Sequence, residues 1–148
     1  MQVTDEVVWT AFDFFAAAIL FGAVCGGIEL TARAGRGPAY VAAGALALFG
    51  GLLIVWANLA VGIIGNEENP LNQMFFGVVG IGLVLAVVSR LRPKGMARAM
   101  AATAAAQGVA AVAAVGLTGE PGAIYAAVMA APFLVSSWLY HLSARPSS

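Results

Sequence analysis

The side chains able to handle a cation or a proton are few in this chain, and several recur at matching depths of its apolar stretches. Asp13, Asn58, Asn72 and Gln73 fall inside or at the edge of the first three stretches, and Glu67 and Glu68 stand between the second and third. Carboxylate and amide oxygens are hard donors, so a layer that pooled them would suit a hard cation, a proton or a small polar ligand. An ionisable group at the centre of an apolar helix costs about 2.5 to 3.5 kcal/mol on insertion scales, which makes Asp13 conspicuous. If the first helix begins near Val7, Asp13 lies about 9 Å below its end, and Asn58 lies at a similar depth in the second. The expectation is one polar cluster in the outer half of three neighbouring helices. A structural role competes with it, because Asn and Gln join helices by hydrogen bonding and a near-surface Asp can reach water.

Other chemistries find little support. One cysteine and one histidine in 148 residues give neither a disulfide scaffold nor a zinc or haem site of ordinary type. Cys25 reads as a small packing residue, and His141 as an interfacial histidine. No nucleophile with a positioned base and no phosphate-binding glycine loop is present, so no enzyme, no cofactor and no metal site is expected. Seven basic residues balance seven acids, leaving no net field to attract nucleic acid.

The elements that must position these residues follow from hydropathy. The chain is 61% hydrophobic and 9% charged, with a mean hydropathy of +0.93. A soluble domain of this size has too much surface for its volume to hide that much apolar area. The expected fold is all-α, a single membrane-embedded bundle over residues 1–148. Five transmembrane helices are expected at about 7–32, 39–64, 71–89, 96–117 and 122–143, each near the roughly 20 residues a bilayer requires. The links between them are short, so consecutive helices should be antiparallel neighbours.

Charge sets the orientation. Every basic residue (Arg33, Arg36, Arg90, Arg92, Lys94, Arg98 and Arg145) follows the first, third or fifth stretch. Asp5, Glu6, Glu67, Glu68 and Glu120 occupy the other side. Basic flanks stay cytoplasmic, so the N-terminus is expected outside and the C-terminus inside. Trp9, Tyr40, Tyr125, Trp138 and Tyr140 near stretch ends fit a headgroup-level belt. Glu29 precedes Arg33 by one turn and reads as a simple helix ion pair.

Small residues mark the packing faces. Gly22 and Gly26, Ala23 and Gly27, and Ala101, Ala105 and Val109 share helix faces that permit close approach, either within the bundle or between copies. Asn58, Gly62 and Gly65 recur at i, i+4 and i+7 and are expected to form one polar-and-small stripe that ends at the outer surface. Gly65-Asn66 then reads as a helix stop, and Asn69-Pro70 as the N-cap and first turn of the third helix. Pro132 should kink the fifth helix, with Ser136 and Ser137 able to satisfy carbonyls freed there. Gln107, near mid-depth of the fourth, would bridge helices or line a path.

The segment Trp56–Asn72 carries a resemblance. Its run Trp-Ala-Asn-Leu-Ala-Val-Gly-Ile-Ile-Gly, continued by acidic residues and Asn-Pro-Leu-Asn, resembles the hairpin of an uncharacterised family of small multi-pass bacterial inner-membrane proteins. Arg92–Ala99 is a second, weaker shared feature. The resemblance implies the bacterial cytoplasmic membrane and a multi-pass bundle, and it implies no activity. The function expected is that of a non-enzymatic membrane protein, self-associating or an accessory subunit of a larger membrane assembly, with the lipid bilayer as its surroundings. The alternative is a small cation- or proton-linked transporter or channel built on the outer polar cluster.

Overall fold

The computed structural model describes residues 10–34, 36–65 and 69–146. Five helical segments are long and apolar enough to cross a membrane: Ala11–Arg33, Pro38–Ala60, Pro70–Val88, Pro93–Thr118 and Ala123–Ser143. The α-helices are α1 (Ala11–Arg33), α2 (Pro38–Ala60), α3 (Gln73–Val88), α4 (Pro93–Thr118) and α5 (Ala131–Ser143). A single 3-10 turn, Pro70–Asn72, leads into α3, and a long 3-10 segment, Pro121–Ala130, leads into α5.

Helices α2, α3, α4 and α5 close into a ring in which each touches the next and α5 returns to α2. Small residues make that closure possible. On α2, Tyr40, Ala43, Gly50 and Ile54 form a buried seam toward α5. A Cβ at Gly50 would stand 3.0 Å from both Pro132 and Phe133. Gly82 of α3 admits Thr103 of α4 in the same way, at 3.1 Å. The alanine-rich α4 is the most buried helix, with Thr103, Gln107, Ala111 and Ala114 on its inner face.

Helix α1 stands outside the ring and packs on α2. Its contact surface includes the Phe21 ring 6.0 Å from that of Trp56, Gly27 against Leu48, and Thr31 against Gly44, where a Cβ would come within 2.5 Å of the threonine methyl. Thr31 is the one buried residue of α1. Gly22 and Gly26 have nothing within 4 Å of a Cβ position, and Ala101, Ala105 and Val109 of α4 are exposed. Packing among the described residues therefore does not account for these two small-residue faces. Gly27, Gly44, Gly50 and Gly82 make the close approaches instead.

Several boundaries differ from expectation for local reasons. Thr10 caps α1, so the helix starts at Ala11 and not near Val7; residues 7–9 lie outside the described residues. Helix α2 stops at Ala60, because Gly62 turns left-handed at φ 74°. Gly65 is left-handed too, at φ 68°, so Asn58, Gly62 and Gly65 do not share one helical stripe. The stop expected at Gly65-Asn66 comes a turn earlier. Past it the chain folds back on α3. Ile64 is fully buried, its N–H donating to Asn72 Oδ1 at 2.7 Å while Asn72 Nδ2 donates to its carbonyl at 3.4 Å. Asn69 caps the Pro70 turn as expected, accepting from the Leu71 N–H at 3.0 Å. Helix α4 begins at Pro93, one turn before Met96.

Asn72 thus holds the α2–α3 connection by both ends of its amide. Asn72→Ala should lower stability by about 1 to 3 kcal/mol, the cost of stranding a buried amide N–H. Thermal unfolding of the purified chain in mild detergent measures this, and an unchanged midpoint would show that the Ile64 backbone is satisfied elsewhere.

Candidate functional site

Three of the residues expected to form an outer polar layer, Asp13, Asn58 and Asn72, have local hydrogen-bond partners. Asp13 sits in the first turn of α1, about 3 Å from its start at 1.5 Å per residue, not deep in the helix. Its Oδ2 accepts from Thr10 N at 2.7 Å and from Thr10 Oγ1 at 2.8 Å. The Asp13 N–H donates back to Thr10 Oγ1 at 3.3 Å, completing a reciprocal capping box. The carboxylate also faces the positive end of the helix dipole. Its placement is that of a helix cap.

Asn58 is buried and donates through Nδ2 to Ile54 O of its own helix at 3.1 Å. Asn72 serves the Ile64 backbone, and Gln73 is exposed at the start of α3. These bonds of Asp13, Asn58 and Asn72 each run to the residue's own helix or hairpin, and none of them links α1 to α2 or α3. Glu67 and Glu68 lie outside the described residues. Gly65 faces the α4–α5 connection, where a Cβ would stand 3.7 Å from Glu120 Oε1. The Glu29–Arg33 pair forms as expected, at 2.7 Å between Oε1 and Nε, and is largely exposed.

Polar side chains that do cross between helices lie elsewhere. Gln107 is fully buried and donates through Nε2 to Ala126 O of the 3-10 segment at 2.8 Å. Ser136 and Ser137, adjacent on α5, point to different neighbours. Ser136 Oγ donates to Ala43 O of α2 at 2.7 Å, and Ser137 Oγ to Ala97 O of α4 at 2.7 Å. They fasten α5 to two helices; neither repairs carbonyls beside Pro132. Two buried oxygens, Asn58 Oδ1 and Gln107 Oε1, accept no hydrogen bond.

At the end of the bundle holding the α1–α2 and α3–α4 links, Tyr40 and Tyr140 pack edge to face with centroids 5.1 Å apart. Both are buried, so they belong to the core and not to a headgroup belt. Tyr40 Oη donates to Leu91 O at 2.6 Å, and the Arg36 guanidinium lies 5.6 Å from the Tyr40 ring centre. The hydrogen bond fixes a tight link in which Arg90 and Leu91 are both left-handed, at φ 52° and 58°. Neither is glycine, and such a conformation costs about 1 to 2 kcal/mol per residue. Trp138 and Tyr125 are exposed at 59% and 76%, as belt residues would be. His141 is exposed as well.

Helices α1 and α3 both border α2 without packing closely on each other, and a groove opens between them. It holds about 610 Å³ and is almost wholly apolar, with Leu20, Gly51, Leu83 and Met100 among its walls and Arg90 at one end. Neither this groove nor the Tyr40–Leu91 bond has a counterpart among the sequence-based expectations. Among the described residues, no group of three or more His, Cys, Asp or Glu could hold a metal. Comparison with family models, curated proteins and solved structures finds no match to the chain.

The Tyr40 bond offers a direct check on the strained link. Tyr40→Phe keeps the ring packing and removes only the hydroxyl, so it should cost about 1 to 2 kcal/mol. The measurement is the unfolding midpoint of the detergent-solubilised protein. A loss shared by Tyr40→Phe and Leu91→Gly would argue for the packing of Leu91; recovery of the Tyr40→Phe loss in the double variant would argue for relief of left-handed strain.

Proposed function

We propose that this chain is a multi-pass protein of the bacterial inner membrane that works without catalysis, as a self-associating or accessory subunit docking through α1. One observation carries the reading. The α2–α5 ring closes without α1, and the exposed side of α1 presents Gly22, Cys25 and Gly26 with open space above both glycines. Glycine costs a helix about 1 kcal/mol relative to alanine. Among the described residues no close approach offsets that cost at Gly22 or Gly26, whereas a neighbouring helix laid along the same face would.

Five apolar segments support the membrane setting, and the hairpin resemblance supports a bacterial inner membrane. The charge asymmetry supports an N-terminus outside and a C-terminus in the cytoplasm. The transport alternative draws on the unpartnered Asn58 Oδ1 and Gln107 Oε1. Its strongest residue, Asp13, is engaged in capping α1. Cation flux in proteoliposomes that Asp13→Asn abolishes would replace the accessory reading with the transport one.

Two experiments test the proposal. Reporter fusions should place Asn66 and Glu120 outside, and Arg36, Lys94 and the C-terminus in the cytoplasm. A periplasmic C-terminus would defeat the topology. For docking, Cys25 lies on the open face beside Gly22 and Gly26, so oxidation in native membranes should yield a reducible, Cys25-dependent adduct. The adduct should be a dimer for self-association and a larger mixed species for an accessory role. Gly26→Leu should reduce its yield severalfold with no loss of folded protein. A lone 15.0 kDa species at every oxidant level would refute docking through α1.

A further inference from the structure

The groove between α1 and α3 has dimensions and charge that single out one kind of occupant. On α1 its wall runs from Leu20 to Thr31, and on α3 from Val79 to Arg90. At 1.5 Å per residue the α1 stretch rises about 16 Å, and the helical part of the α3 stretch, Val79 to Val88, about 14 Å. A bilayer's hydrocarbon core is about 30 Å thick, so the groove is as long as one leaflet is deep. It begins near the middle of α1, α2 and α3 and opens at the end where the α3–α4 link sits.

Its floor is shaped by absence of bulk. Gly51 of α2 has nothing within 4 Å of a Cβ position. The walls are mostly aliphatic, with Phe133 and Tyr140 also lining them, and the one charged lining residue is Arg90, at the mouth. Among the described residues the only ion pair is Glu29–Arg33, so none of their carboxylates neutralises Arg90. The left-handed backbone at Arg90 and Leu91 turns this corner of the link beside the groove, and Leu91 contributes to its lining.

We propose that this groove binds one anionic phospholipid of the leaflet on the basic side, with an acyl chain along its apolar walls and the phosphate at Arg90. The inference rests on the membrane setting proposed above but not on docking through α1. A transmembrane helix from a second copy fits less well. It is about 10–12 Å across with its side chains and must run through both leaflets, whereas the groove spans one. A zwitterionic lipid would fill the walls and offer Arg90 a phosphate already paired with its own ammonium, so its attraction to the arginine is weaker.

Native mass spectrometry of the full chain in mild detergent tests the proposal, with dioleoyl phosphatidylglycerol and dioleoyl phosphatidylcholine as probes of identical chains. One phosphatidylglycerol per chain should be retained, with about a fivefold preference, the size expected of one arginine near an anionic headgroup. Arg90→Asn should bring the preference close to one while the unfolding midpoint holds or rises, because asparagine tolerates a left-handed backbone. Gly51→Leu should block retention of both lipids. Leu83→Trp, at a residue 61% exposed, places bulk in the groove from its rim and should do the same if Gly51→Leu fails to fold.

Equal retention of the two lipids by the native chain, or an unchanged preference in Arg90→Asn, would overturn the proposal while leaving the membrane topology standing. A lipid-free dimer whose formation Leu83→Trp prevents would assign the groove to a second copy instead. A failed topology in the fusion assay would remove the setting itself, a different failure from either of these.

Discussion

The approach of α5 to α2 is the contact on which the rest of the bundle depends. Pro132 and Phe133 sit on Gly50 at 3.0 Å from its Cβ position, and one turn further Ser136 donates to the Ala43 carbonyl at 2.7 Å. A methyl group at residue 50 would require Pro132 and Phe133 to give by a few tenths of an ångström, and a larger side chain would hold the helices apart and strain the serine bond. In an apolar surrounding no water would replace that bond, so close approach and polar satisfaction stand or fall together. Once α5 is seated, Ser137 reaches Ala97 of α4, and α4 in turn sends Thr103 into the space above Gly82 of α3. The ring closes by small residues that admit backbones and by short polar side chains that join them.

The 3-10 segment Pro121–Ala130 belongs to the same arrangement. Ten residues is long for a 3-10 helix, whose hydrogen bonds are poorer than those of an α-helix. Pro132 has no N–H to return to Val128, and the Ala131 N–H takes that carbonyl with three-residue spacing. Gln107 then donates to Ala126 from the facing helix, so this part of the segment is held from outside as well as from within. The expected kink at Pro132 takes the form of a change of helix type. Ala123, Ala126 and Ala130 pack inward along the segment, and their small size lets the tighter helix lie against α4.

How much of this is legible in the sequence depends on the range of the interaction. Hydropathy locates all five spans, because an apolar run of that length has few other uses. Local chemistry locates the Asn69–Pro70 cap and the Glu29–Arg33 pair, whose partners are within four residues. Hydropathy overshoots the end of α2, because apolar residues continue through Ile64 while Gly62 already turns the chain, and it cannot see a left-handed φ. Measured from an apolar boundary at Val7, Asp13 looks deep; the Thr10-x-x-Asp13 spacing is the signal for a cap. Tyr40, Ser136 and Gln107 find partners 51, 93 and 19 residues away, beyond any local pattern.

The position of α1 connects the fold to both functional proposals. A helix inserted into the ring would be covered on all sides, burying Gly22 and Gly26 and filling the space beside α3. Contact along one side only, with Gly27 on Leu48, Thr31 on Gly44 and the Phe21 ring beside Trp56, leaves both surfaces open: a small-residue face turned away from the bundle, and a leaflet-length groove turned along it. The two differ in what can fill them. The first is a strip along a helix with no charge between Gly22 and Gly26, matched to another backbone. The second has mostly aliphatic walls and an arginine at one end, matched to a flexible chain carrying an anion. Asp13 fits neither surface, since its carboxylate is occupied at the start of the helix that forms both. Its contribution is to close the capping box on the first turn of α1, while the direction of the open face follows from the contacts of Gly27 and Thr31 with α2.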